Sequence, residues 1–162
     1  MTQRLNYGMV SPEGIRALSG LEHYVRNAGL EPGLLHLIKT RASQINRCGY
    51  CIDMHTKDAR AGGETEQRLY ALAAWRETPF FTERERAALA WTESITLISH
   101  GSVPDALLDE ARRHFSEKEL VDLTLALIAI NGWNRLAIAF RTVPGSYQTP
   151  SHDGADRARE ER

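Results

Sequence analysis

The chain has 162 residues, of which 42% are hydrophobic and 25% charged, a composition that suits one soluble-type domain with a real core. Twenty Lys and Arg stand against twenty-one Asp and Glu, a formal net charge of -1, which excludes an electrostatic case for nucleic acid or an anionic membrane. No charge-free apolar run reaches the roughly 18 residues a membrane span needs, and MTQRLNYGMVSPEG lacks a leader's apolar core, so the expectation is a cytoplasmic chain without a transmembrane helix.

Residues 1 to 10 read as an irregular lead-in. Ser11-Pro12-Glu13 is a helix start, with Ser as cap, Pro in the first turn and Glu against the dipole. Ile15, Leu18, Leu21 and Val25 follow at helical spacing, and Ala28-Gly29 closes the helix. Glu31-Pro32 opens a second helix with Leu34, Leu35, Leu37, Ile38, Ala42 and Ile45 on a broad apolar face, ending near Asn46-Arg47.

The next helix carries both cysteines and runs from about Cys48 to Ala61, stopping at Gly62-Gly63. A shorter one follows to about Trp75, with Leu69, Leu72 and Ala73 inward. Thr82 and Glu85 fit a capping box, as do Ser116 and Glu119. The first starts a helix with Ala87, Ala88, Leu89, Trp91, Ile95 and Ile98 apolar, ending at His100-Gly101. Pro104-Asp105 begins a short helix that ends near His114-Phe115. The second box launches the most apolar segment, Leu120 to Phe140, which should be central or lie at a subunit interface. The reading is all-α, with about seven helices in one domain over residues 1–143 and a polar tail over 144–162.

The chemistry concentrates in RASQINRCGYCIDMH, Arg41 to His55. Cys48 and Cys51 are three apart, and His55 follows four after Cys51, so both sulfurs and the imidazole share one helix face. Two cysteines so close constrain an unfolded chain little, which points to exchange chemistry or metal binding rather than a structural staple. Cys48 at the helix start should have its thiolate stabilised by the dipole; His55 could take the proton of Cys51 instead. Local physics therefore offers either cysteine as the attacking thiol. Zinc is the other reading of these residues, with Cys48, Cys51, His55 and His36 from the preceding helix as ligands, although the usual structural pattern places the second ligand pair elsewhere. No phosphate-cradling Gly motif and no G-x-S-x-G elbow occurs.

Several other polar residues have bland readings. Asp53 and Asp58 fit a solvated helix face, although Asp58 could orient the His55 ring. Tyr50 fits packing or a hydrogen bond toward a sulfur, and Glu64, Thr65 and Thr82 to Arg86 fit a solvated surface. Asn131, Asn134 and Arg135 are costly to bury unpaired, so they read as a polar network inside the chain or across a subunit interface, and Ser43, Gln44 and Asn46 as bonds at the helix junction.

RASQINRCGYCIDMHTKDARAGG resembles the core of the AhpD-like, carboxymuconolactone decarboxylase-type family, and FSEKELVDLTLALIAINGWNRLAIAFR resembles the long helix of its alkylhydroperoxidase members. The resemblance spans about residues 30 to 142. It implies an all-α homo-oligomer (dimer, trimer or hexamer) and a thiol peroxidase that needs no cofactor, takes a peroxide as substrate and is restored by an external dithiol protein. By that pattern Cys51 attacks, Cys48 resolves and His55 relays the proton, with His36 standing where relatives often carry the relay glutamate. Tyr50 stands where the peroxidases often carry a histidine. The resemblance leaves two alternatives: a zinc- or redox-responsive CxxC module without useful turnover, and a lyase of the decarboxylase branch, many of whose members lack the paired thiols.

Overall fold

The computed structural model describes residues 2–149; the rest of the predicted tail lies outside the described residues. Among them are eight α-helices and no strand: α1 Tyr7–Val10, α2 Pro12–Asn27, α3 Pro32–Asn46, α4 Gly49–Ala61, α5 Glu66–Ala71, α6 Glu83–Thr96, α7 Asp105–Arg112 and α8 Glu117–Phe140. Two short 3₁₀ segments, Leu72–Glu77 and Ile98–His100, extend α5 and α6.

The middle of the bundle is α3, which packs on α4, α6 and α8. Its apolar face is broad enough to serve all three: Leu34, Leu35, Leu37, Ile38 and Ala42 are buried, and so are Lys39, Thr40 and Ser43. The main core joins these to Val25 of α2, Ala87, Ala88 and Trp91 of α6, and Leu123, Ala126, Leu127 and Ile130 of α8. Leu37 instead joins Leu72, Trp75, Phe81 and Leu89 in a satellite cluster under the α5–α6 connection. Where α2 crosses α8, Gly132 faces the Leu18 side chain, and a Cβ there would meet it at 3.4 Å, an ordinary packing contact.

Both capping boxes form, at Thr82 with Glu85 and at Ser116 with Glu119. Ser11 occupies the cap position of α2, but its side chain makes no capping bond; Pro12 leaves one fewer N–H to satisfy there. The lead-in is not wholly irregular, because Asn6 caps α1 by accepting from the Met9 N–H at 3.2 Å. Ala73 and Ile98 are exposed rather than inward. Both lie on 3₁₀ segments, whose tighter winding rotates them off the face a 3.6-residue period assigns.

The run Thr82 to Arg86 is also more than solvated surface. Arg84 pairs with Glu31 at 3.0 Å and Glu119 at 2.7 Å, and Arg86 donates to the Trp75 and Thr78 carbonyls. Glu64 receives Arg68 at 2.9 Å, and Thr65 caps α5.

By length and composition alone α8 is long and apolar enough to cross a membrane, with a stretch of mean hydropathy 1.4, a test that the core helix of a bundle also passes. Much of it is buried in this fold, including Asp122 and Asn134. Its outward stripe keeps Val121, Ile128 and Ile138 exposed.

Candidate functional site

The α3–α4 junction sets the site. Arg47 ends α3 in the left-handed conformation at φ 58°, and the Cys48 N–H donates to the Ser43 carbonyl at 2.9 Å. That turn places Cys48 as the N-cap of α4 rather than inside it, with its sulfur accepting from the Cys51 N–H at 3.4 Å. Cys48 and Cys51 are joined in a disulfide, their Cα atoms 5.3 Å apart, and both are buried.

The polar residues of the approach hold this junction. Asn46 donates to Asn131 at 2.9 Å and Asn134 at 2.8 Å, and Asn134 donates to Ser43 at 3.1 Å. Asn131 reaches Thr96 at 3.3 Å, and Arg135 donates to Asn131 at 3.0 Å. This is the polar network expected on α8, and these bonds lie within one chain.

A cavity of about 240 Å³ opens beside Cys51, lined by Tyr7, Glu22, Arg26, Tyr50, Met54, His55, Trp133 and Ala137. Cys48 is not among its lining residues. His55 is buried, and neither ring nitrogen has a hydrogen-bond partner. Burial, reinforced by the nearby Lys39 cation, pushes its pKa down to about 3, so the ring is neutral near pH 7.

His36 is half-buried on α3, its Nδ1 also without a partner, and burial lowers its pKa as well. One ligand atom each of His36, His55 and Asp58 lie within 4.8 Å of one another. The structure thus brings His36 to His55, but no hydrogen bond joins them. Asp58 does not orient the His55 ring; its Oδ1 accepts from the Tyr147 hydroxyl at 2.6 Å. Asp53 is likewise engaged, with Lys57 at 2.9 Å and the Gly145 N–H at 3.0 Å, so residues 145–147 lie along α4.

Three charged residues at the site, Lys39, Glu22 and Arg26, escaped the sequence reading. Lys39 is buried and donates to Glu22, which also accepts from Arg26 at 2.9 Å. Burial raises the Glu22 pKa, but Lys39 and Arg26 outweigh it and hold the carboxyl below its usual range. The available signal was a lysine inside the apolar run LLHLIKT, where an ammonium needs a partner.

The family model described as the carboxymuconolactone decarboxylase family matches residues 12–94, just over half of the chain and all of the site's α2–α4 framework. The chain belongs to the carboxymuconolactone decarboxylase family. It is 47% identical over 139 residues to protein YdfG of Bacillus subtilis (strain 168), itself uncharacterized, covering 86% of this chain and 95% of that one. The solved structure of ATU0492 from Agrobacterium tumefaciens, a protein of unknown function with a suggested antioxidant-defence role as AhpD, superposes with a TM-score of 0.87 at 44% identity. That match covers 90% of this chain and all of the other. The debrominase Bmp8 shares the fold at a TM-score of 0.75 and 21% identity, over 84% of this chain and 73% of its own. This family fold is the AhpD-like all-α arrangement read from the sequence.

Proposed function

We propose that this chain is a thiol-dependent peroxidase of the alkylhydroperoxidase type, cycling Cys48 and Cys51 between dithiol and disulfide. The observation that carries the reading is that Cys51 and a neutral, buried His55 line one cavity while Cys48 stands behind Cys51 at the cap of α4.

In the reduced protein, neutral His55 takes the Cys51 thiol proton as the sulfur attacks, a concerted transfer that needs no free imidazolium–thiolate pair. The Cys51 thiolate attacks one peroxide oxygen; the O–O bond breaks, the leaving alkoxide takes a proton to become the alcohol, and Cys51 becomes a sulfenic acid. Cys48 then attacks that sulfur, releasing water and closing the disulfide. An external dithiol returns two electrons and two protons by exchange at Cys51. Cys48 is the better leaving group in that exchange, because its thiolate is stabilised by the helix N-terminus and the Cys51 N–H.

The lining suits a small peroxide with an apolar substituent, since Tyr7, Tyr50, Met54, Trp133 and Ala137 surround the thiol. His36 enters this reading as a neighbour of His55 on the side facing α3. The exposed Val121, Ile128 and Ile138 of α8 support assembly into a homo-oligomer, which sedimentation velocity tests.

The test of the activity is peroxide consumption by the reduced protein with a dithiol reductant. The expected result is catalytic turnover that vanishes in Cys51→Ser. Equal activity in that variant sinks the assignment.

A further inference from the structure

We propose that His36, His55 and Asp58 form a binding site for a divalent transition cation of the zinc type, separate from the cysteine pair. One ligand atom from each lies within 4.8 Å of the other two, with His36 supplied by α3 and the other pair by adjacent turns of α4. Around a tetrahedral cation, nitrogen and oxygen ligands sit about 3.4 Å apart. His55 and Asp58 are three apart on one helix and share a face, and His36 of α3 brings its ligand atom to the same place.

The second observation is the state of the nitrogens. His55 is only 3% exposed, yet both its ring nitrogens are without a partner, and so is the buried Nδ1 of His36. Buried polar atoms are nearly always satisfied, and each of these two rings can offer one lone-pair nitrogen to a cation beside the Asp58 carboxylate.

Asp58 is prepared for the same role. Its Oδ1 accepts from Tyr147, which leaves the other oxygen for a cation and fixes the carboxylate from behind, as outer hydrogen bonds do at metal sites. The nearby cations Lys39 and Arg26 are both engaged by Glu22, so the negative charge of Asp58 remains for an incoming ion. Two imidazoles and one carboxylate leave a fourth position for water, the pattern of open zinc sites.

The experiment titrates Zn²⁺ into the disulfide form of the full chain by calorimetry, where neither cysteine offers a thiolate. One equivalent should bind, and His36→Leu and Asp58→Asn should each weaken binding at least tenfold with the helical circular dichroism unchanged. Should His36→Leu lose its fold, the isosteric Asp58→Asn carries the test on a half-buried side chain. Co²⁺ should give a spectrum free of a thiolate-to-metal charge-transfer band. Absence of binding, binding indifferent to Asp58→Asn, or binding only after reduction with that band present would each overturn the proposal. Peroxide turnover is not read, so the result stands apart from the peroxidase assignment.

Discussion

Asn134 of α8 donates to the Ser43 hydroxyl of α3 at 3.1 Å, and both side chains are fully buried. Ser43 in turn receives the Cys48 N–H on its carbonyl, so one hydrogen-bond path ties the long helix to the turn that presents the thiols. Asn134 also accepts from Asn46 at 2.8 Å. Asn134→Leu would take one bond from each of two partners, buried Ser43, which keeps the Lys39 carbonyl, and half-buried Asn46, which keeps Asn131, and the expected cost is about 1–2 kcal/mol of stability. The denaturation midpoint measures it; a change below a few tenths of a kcal/mol would mean the network does not hold the junction.

Glu22 and Lys39 form the second coupling. Lys39 is 3% exposed and has Glu22 as its carboxylate partner, so losing that carboxylate leaves a buried ammonium uncompensated. Glu22→Gln is expected to cost about 3 kcal/mol, while Glu22→Gln with Lys39→Met should recover much of the loss. The double-mutant cycle read by thermal or denaturant unfolding checks this. Simple additivity of the two substitutions would show the pair to be uncoupled.

Most of the fold could be read from the sequence because its signals are local. The capping boxes at Thr82 and Ser116, the proline at position 32 and the glycines after Ala61 each mark a helix boundary within a few residues, and the structure places boundaries there. Ala73 and Ile98 were misassigned because the period tightens at the end of a helix, a change that residue types do not announce. The α4 residues of the site were legible for the same local reason, since spacing along one helix fixes which side chains share a face. Glu22 was not, because its partner lies on another helix and only the packing of α2 beside α3 brings the two charges together. The same holds for Tyr147, whose bond to Asp58 spans 89 residues.

Glu119 gives the fold a pH dependence. Its carboxylate accepts from the Ser116 N–H and hydroxyl and from Arg84, and these bonds pull its pKa down to about 2. The folded value lies below the ordinary 4.5, so the stabilisation is complete above about pH 4.5 and is lost as pH falls toward 2. Glu119→Gln is expected to flatten this part of the stability–pH curve. Ser116→Ala removes the other half of the box and should cost about 1 kcal/mol at neutral pH. Urea midpoints of wild type and both variants across the acid range check the two effects; a Glu119→Gln curve parallel to wild type would remove this carboxylate from the acid response.

The two cysteines should separate kinetically. Cys51 lines the cavity beside His55, and Cys48 does not. In Cys48→Ser the attack on peroxide remains possible but the intramolecular resolution is gone, so one equivalent of peroxide should be consumed in a burst and the sulfenic acid should persist long enough to be trapped by a dione reagent. In Cys51→Ser no burst and no trapped adduct are expected, although Cys48 is still a thiol with a helix N-terminus behind it. Single-turnover mixing with intact-mass detection reads both outcomes. A trapped adduct on Cys48 in the Cys51→Ser variant, formed as fast as in the reverse case, would exchange the two roles and make the dipole at the α4 cap, rather than His55, the feature that activates the thiol.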